Sequence, residues 1–166
     1  MADVLNSTDF RRILGHYPTG VCAVMAIVDE APVCMVVGSF TSVSLDPPLV
    51  AFFPARASSS WPRIEKAGRF CVNVLAHNQR GLCRALASGK PDRFDNARYR
   101  LSDSGQPILE GVVAWIDCDL DAVHEAGDHY IAVGRVKALD VEHPHTPLLF
   151  FQGGYGQFAP LAAEAL

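Results

Sequence analysis

Long apolar runs, an even set of cysteines and an excess of positive charge are all missing from this chain, and each absence removes a class of function. No segment reaches the roughly 18 consecutive apolar residues that a membrane span needs. The N-terminal "MADVLNSTDFRRIL" has no charged region leading into an apolar stretch, so the expectation is a cytoplasmic protein that engages no membrane. The five cysteines, Cys22, Cys34, Cys71, Cys83 and Cys118, are odd in number and show no C-x-x-C spacing. They read as reduced core residues, because most of them sit inside apolar runs. Lys and Arg total 14 against 18 for Asp and Glu, a net charge of −4 with His neutral. General attraction to nucleic acid or anionic lipid is therefore not expected.

Several chemistries are missing as well. The sequence has no G-x-G-x-x-G after a strand, no G-x-x-x-x-G-K-[ST], no H-E-x-x-H and no G-x-S-x-G, so a Rossmann nicotinamide site is unsupported. His143-Pro144-His145 is a histidine pair straddling a proline and reads as a solvated turn; no metal is expected.

What is present is apolar. Of 166 residues, 49% are hydrophobic and only 19% charged, which covers a monomer's surface thinly and favours a homo-oligomer. The length suits one domain, residues 1–166, with a core that needs no disulfides.

Along the chain, "NSTDFRRILGHYPTG" predicts a short helix capped by Ser7 or Thr8, with Phe10, Ile13 and Leu14 on one stripe and an end at Pro18. Gly20–Val28 and Val33–Gly38 read as a hairpin turning at "DEAP". Asp46-Pro47-Pro48 predicts a break between a serine-rich strand and the strand from Leu49 to Phe53. "SSSWPRIEKAG" predicts a helix with a serine N-cap and Gly68 at its C-terminal cap. Phe70–Leu75 follows as a strand and "NQRGLCRALASGK" as a helix, and the polar Lys90–Gly111 stretch reads as one long loop, functional or interfacial. From Val112 to Val123 apolar residues alternate strictly, with Ala114, Ile116, Cys118, Leu120 and Ala122 on one face. One face should be core and the other, with Asp117, Asp119 and Asp121, largely wet. Tyr130–Leu139 and "PLLFF" complete six or seven strands, which with short helices and no strand–helix alternation favour a small antiparallel barrel.

Two clusters carry chemistry. Ser58, Ser59 and Ser60 precede a helix, where hydroxyls and free amides suit a phosphate, with Arg56 close by; an ordinary helix cap uses the same residues. In "SFTSVSLDPPLVAFF", Ser39, Thr41, Ser42 and Ser44 offer hydroxyls at positions where a planar heterocycle could read the backbone edge, and a polar outer face fits the window equally. His129, beside Gly127-Asp128, is a third candidate for substrate contact.

"YPTGV", "SFTSVSLDPPLVAFF" followed by "SSSW", "FCVNVLAHNQ", "DRF", "GDHYIAVGRV" and "PLLFFQGGYG" occur in the order found in the flavin reductase-like family, and from about Phe10 to Tyr155 the chain resembles it. The resemblance implies a mainly β chain with short helices, folded as an antiparallel FMN-binding split β-barrel of Greek-key type. It implies an NAD(P)H:flavin oxidoreductase that passes a hydride from NADH to FMN or FAD and supplies a separate flavin-dependent oxygenase, working as a homodimer. By position, Thr19, Ser39, Phe40, Thr41, Ser42, Val43 and Ser44 would face the flavin ring. Arg56, Ala57, Ser58, Ser59 and Ser60 would hold the flavin phosphate, and Arg93 and Phe94 would add a further contact. His129 and Tyr155 would lie near the nicotinamide. Where relatives often carry basic residues around the last tyrosine, this chain has Gly153, Gly154 and Gly156, which favours NADH over NADPH. A pyridoxamine-phosphate-oxidase-like amine oxidase and a non-catalytic flavin- or haem-binding barrel are the alternatives, and the GDH segment argues against both.

Overall fold

The computed structural model describes residues 6–162. Helix α1 (Ser7–Leu14) is capped by Asn6 rather than by Ser7 or Thr8: Asn6 Oδ1 accepts the Asp9 N–H at 2.8 Å, because the helix starts one residue earlier than the serine suggests. Its stripe of Phe10, Ile13 and Leu14 forms as expected yet stays more than half exposed.

Strand β1 (Thr19–Gly20) precedes the hairpin of β2 (Cys22–Val28) and β3 (Ala31–Val37). The turn is Asp29-Glu30, both left-handed with φ of 51° and 63°, a twist that suits a two-residue hairpin. Pro32 therefore lies inside β3, tolerated because β3 is an edge of its sheet. β2 is apolar on both faces for a reason. Cys22, Val24 and Ala26 join one core with Phe52, Trp61 and Phe70, while Ala23 and Met25 join a second with Leu75, Cys83 and Leu86.

Asp46-Pro47 breaks the chain between two strands as expected, and the break is a tight turn. β4 (Thr41–Leu45) and β5 (Pro48–Phe52) form one hairpin, pairing Leu45 with Pro48 and Thr41 with Ala51, with a register shift between Ser42 and Ser44. Proline is admitted because it occupies the turn and the first residue of β5. Helix α2 (Trp61–Ala67) follows and ends at left-handed Gly68, φ 67°, as expected. Its Trp61 meets Phe52 edge-on at 5.7 Å, and Phe52 meets Phe70 at 5.2 Å.

After β6 (Arg69–Val74) and helix α3 (Arg80–Ala87), the Lys90–Gly111 segment proves not to be one loop. It contains a small hairpin, β7 (Tyr99–Leu101) with β8 (Pro107–Leu109), and β8 is fully buried. Buried Asn73 holds it: Asn73 Nδ2 donates to the Pro107 carbonyl at 3.1 Å and Asn73 Oδ1 accepts the Leu109 N–H at 2.8 Å. Gln106 Oε1 adds a bond from the Ile27 N–H at 3.2 Å.

β9 (Ala114–Ala126) and β10 (His129–Val141) form the long hairpin that spans the molecule. The predicted wet face of β9 is broken at Asp117, which is 2% exposed and accepts the Ser104 hydroxyl at 2.6 Å, because the small hairpin folds over it. β11 (Leu148–Phe151) pairs with both β1 and β12 (Gly154–Gln157) in a separate three-stranded sheet. The main sheet runs β3-β2-β6-β9-β10-β5-β4, entirely antiparallel. It curls until Val33 and Val37 of one end share a core with Val50 and Phe52 of the other. Among the described residues no helix is long and apolar enough to cross a membrane.

Closure depends on one close approach. A Cβ on Gly134 would stand 2.6 Å from Phe70 Cζ and 3.1 Å from Cys118 Cβ, and Phe70 is itself locked in the core. Gly134→Ala is expected to lower stability by about 1–2 kcal/mol through overpacking. Urea unfolding measures it, and an unchanged midpoint would show that Phe70 has room to move.

Candidate functional site

A groove of about 630 Å³ opens where the curled sheet leaves its two ends apart. That volume is within the range of small-molecule sites, about 300–1,000 Å³. Its walls come from the last residues of β3 with Gly38 and Ser39, from Phe53, Ala55 and Ser58 after β5, and from Ala126, His129, Tyr130 and Ile131 around the β9–β10 turn. Gly38 is the tightest point of that wall. A Cβ there would lie 2.7 Å from Thr19 Oγ1, so a side chain at this position would collide with β1, which packs against the end of β3.

Ser39 lines the groove, but its hydroxyl is engaged, accepting the Phe53 N–H at 3.0 Å and tying the two walls together. Phe40 packs against the first core. Thr41, Ser42 and Val43 are exposed and Ser44 half-buried on β4, which is the other edge of the main sheet. An edge strand presents unpaired N–H and C=O groups, so β4 offers main chain as well as hydroxyls.

In the β5–α2 connection, Arg56 is bound on three sides. Its guanidinium meets Glu125 Oε1 at 2.7 Å and lies 5.2 Å from the centre of the Tyr130 ring, and its N–H donates to the Asp128 carbonyl at 2.9 Å. Ala57 and Ser59 are exposed. Ser60 stands at the N-cap of α2 yet makes no side-chain bond there and is nearly buried; the hydroxyl that accepts the Trp61 N–H, at 3.2 Å, is that of Ser58. The backbone at Ser60 is already helical, which turns its hydroxyl away from the free amides.

His129 stands in the groove wall with its Nδ1 2.7 Å from Asp128 Oδ1. That hydrogen bond, more than the imidazole charge, holds the Asp128 carboxyl below its usual range. It also commits Nδ1, leaving Nε2 as the ring nitrogen available to a ligand.

Arg93 and Phe94 are not brought to the groove. Arg93 lies over the Phe94 ring at 4.9 Å and reaches the Leu86 carbonyl at 3.5 Å, while Phe94 packs against the second core. Tyr155 is also set apart, in a smaller hollow of about 210 Å³ with Thr19 and Phe150 that shares Val36, Val37 and Gly38 with the main groove. The glycines around it do not leave it without basic neighbours. Arg80 and Arg84 of α3 lie 5.9 and 5.8 Å from its ring centre. Their i,i+4 spacing was the signal in the sequence, hidden because it belongs to a distant helix. Tyr155 Oη and Cys83 Sγ are 3.5 Å apart, and this hydrogen bond, followed by burial, raises the phenol pKa.

Among the described residues no group of three His, Cys, Asp or Glu side chains could hold a metal ion. Nor is there a reactive thiol among the buried cysteines with resolved shifts: burial pushes Cys22, Cys34 and Cys118 up to about 12 and raises Cys71 as well. All five cysteines are free and buried.

A family model described as "Flavin reductase like domain" matches residues 14–159. The chain belongs to this family. A flavin reductase of Pseudomonas putida is 61% identical over 153 residues, covering 92% of this chain and 90% of the relative. The reductase subunit of a flavin-dependent monooxygenase from Rhodococcus jostii is 43% identical over 159 residues, covering 96% and 82%. Among solved structures, an NADH:FAD oxidoreductase of Streptomyces globisporus in complex with NAD and FAD fragments superposes with a TM-score of 0.87 at 33% identity, covering 96% of this chain and 98% of that one. The antiparallel split barrel is the fold the family shares, and the main sheet has its curled, incompletely closed form.

Proposed function

We infer that this groove seats the isoalloxazine ring of FMN or FAD with a dihydronicotinamide beside it. The chain is an NAD(P)H:flavin oxidoreductase, with NADH as donor and a separate flavin-dependent oxygenase as recipient of the reduced flavin. The observation that carries this is the groove itself. It is wide enough for a flat heterocycle, has Gly38 and Ser39 in one wall and Phe53, Ala55 and Ser58 in another, and includes His129, whose Nδ1 Asp128 engages. The residues present therefore fit the flavin.

A flavin held here would supply the hydride-accepting chemistry and the nicotinamide the hydride, so the bond chemistry belongs to the cofactors. The protein's own part is placement. Gly38 and Ser39 give the ring a wall, and β4, with Thr41, Ser42, Val43 and Ser44, supplies main-chain donors and hydroxyls toward its polar edge. Thr19 supports that wall from behind, and Phe40 anchors the strand in the core. Ser58 and exposed Ser59, with Arg56 held by Glu125 and Tyr130, form the phosphate end. His129 orients the nicotinamide through Nε2 while Asp128 fixes the ring. No covalent nucleophile is required, and preorganised donors at the ring edge lower the barrier without rearranging.

The working unit is a homodimer, with residues 1–166 as one domain in each copy. What supports this is the apolar surface left open: the α1 stripe, Leu139 and Val141 on β10, and Phe150 and Phe151 on β11 are all at least 40% exposed. A second copy would cover them. Arg93 and Phe94 are given no role in the groove of their own subunit.

The decisive experiment is anaerobic addition of NADH to the protein loaded with FMN, then with FAD. Bleaching of the flavin absorption band is expected. A bound flavin that NADH leaves oxidised, or a Soret band in the purified protein, would overturn the assignment.

A further inference from the structure

Arg80 and Arg84 stand on one face of α3, four residues apart, with their guanidinium groups on the Tyr155 ring at 5.9 and 5.8 Å. Like charges at this spacing repel one another on a helix. Arg80 is also the first residue of α3, where the helix dipole disfavours a cation. Neither arginine makes an ion pair among the described residues, whereas five other arginines do. Tyr155 offers no negative charge in exchange, since its raised pKa keeps it a neutral phenol. Two unanswered cations are thus held around one aromatic ring.

They border space. His77, Arg80, Tyr155, Gly156 and Gln157 line a hollow of about 260 Å³. Tyr155 also lines the neighbouring hollow with Thr19 and Gly38, which shares Val36, Val37 and Gly38 with the main groove. The three spaces therefore follow one another around the end of β3 and across β12. A ligand with its ring in the groove and a long tail would run past Tyr155 toward the two arginines.

We propose that Arg80 and Arg84 form a diphosphate subsite that holds the bridging phosphates of a dinucleotide whose ring occupies the main groove. Guanidinium groups suit this task because each can bind phosphate oxygens through a planar pair of donors. The glycines at 153, 154 and 156 keep the β12 side clear of side chains, so the positive charge comes from the helix and not from the strand. The dinucleotide is NADH: the diphosphate of FAD continues directly from the flavin phosphate, which the Ser58 and Ser59 end of the groove takes, so it does not reach Arg80 and Arg84. The subsite rests on the reading of the groove as a flavin and nicotinamide site.

The test is the double variant Arg80→Gln/Arg84→Gln, checked for folding by its thermal melt. Calorimetric dissociation constants are measured for NAD+, FAD and FMN, alongside the KM for NADH with FMN as acceptor. The proposal expects NAD+ binding to weaken about 10- to 100-fold, the equivalent of one charge-assisted hydrogen bond, with KM for NADH rising in parallel and FMN affinity retained. Weaker FAD binding with NAD+ unchanged would overturn it, because the arginines would then serve the flavin's diphosphate and not that of NADH. A folded variant that binds both dinucleotides as well as the parent would overturn it, as would equal weakening of FMN. The binding measurements need no turnover. Failure of NADH to reduce flavin in the unsubstituted protein would therefore count against the reductase reading alone.

Discussion

Asn73→Leu is expected to lower the unfolding free energy by about 2–4 kcal/mol, from a change that keeps the number and branching of the side-chain heavy atoms. The reason is the company Asn73 keeps. Its amide donates to the Pro107 carbonyl and its carbonyl accepts the Leu109 N–H, and β8, where both partners lie, is buried throughout. Leucine would leave the Leu109 N–H and the Pro107 carbonyl without these partners, and each buried group so stranded costs about 1–3 kcal/mol. Hydrogen exchange should localise the damage: amides of β8 lose protection before those of β2 and β6. A loss under 1 kcal/mol would mean that the hairpin is held by its apolar contacts alone.

His129→Ala is expected to reduce kcat/KM for NADH by about 10- to 100-fold, the equivalent of one hydrogen bond to a charged or polarised partner. Flavin affinity should be nearly kept, because on this reading His129 contacts the nicotinamide while Ser58 and Ser59 hold the flavin phosphate. Asp128→Asn should act in the same direction but less, since Asp128 only fixes the ring through Nδ1. Stopped-flow reduction of bound flavin against NADH concentration separates the two. If flavin binding collapses and the NADH dependence is untouched, His129 sits on the other side of the ring from where it is placed here.

Gly38 shows how far local reading reaches. In the sequence it is one more glycine ending a strand; in the structure it is the point where β1, from another sheet, packs against the groove wall, with Thr19 standing where a Cβ would go. Arg80 and Arg84 likewise look like an ordinary exposed helix face until β12 places Tyr155 beneath them. Asp117 fits the alternating pattern as a solvent residue, and only the packing of the small hairpin buries it. Three-residue strands such as β7 and β8 are too short to show any period, so the Lys90–Gly111 segment gave no local sign of its hairpin.

The amino-acid sequence by itself determined the features whose physics is local. Alternation along β9 made a strand, proline and left-handed residues placed the turns, Gly68 stopped α2, and the order of short motifs identified the family. Tertiary structure decided which strand ends face one another, which hydroxyls are left for a ligand and which are consumed, and where the basic groups around Tyr155 come from. Those depend on contacts between residues far apart in the chain: Ser39 is spent on Phe53, Asn73 on Pro107 and Leu109, and Arg56 on Glu125. A hydrogen bond or ion pair of that kind leaves no periodic trace in either of the segments it joins, so it is legible only once folding has brought them together.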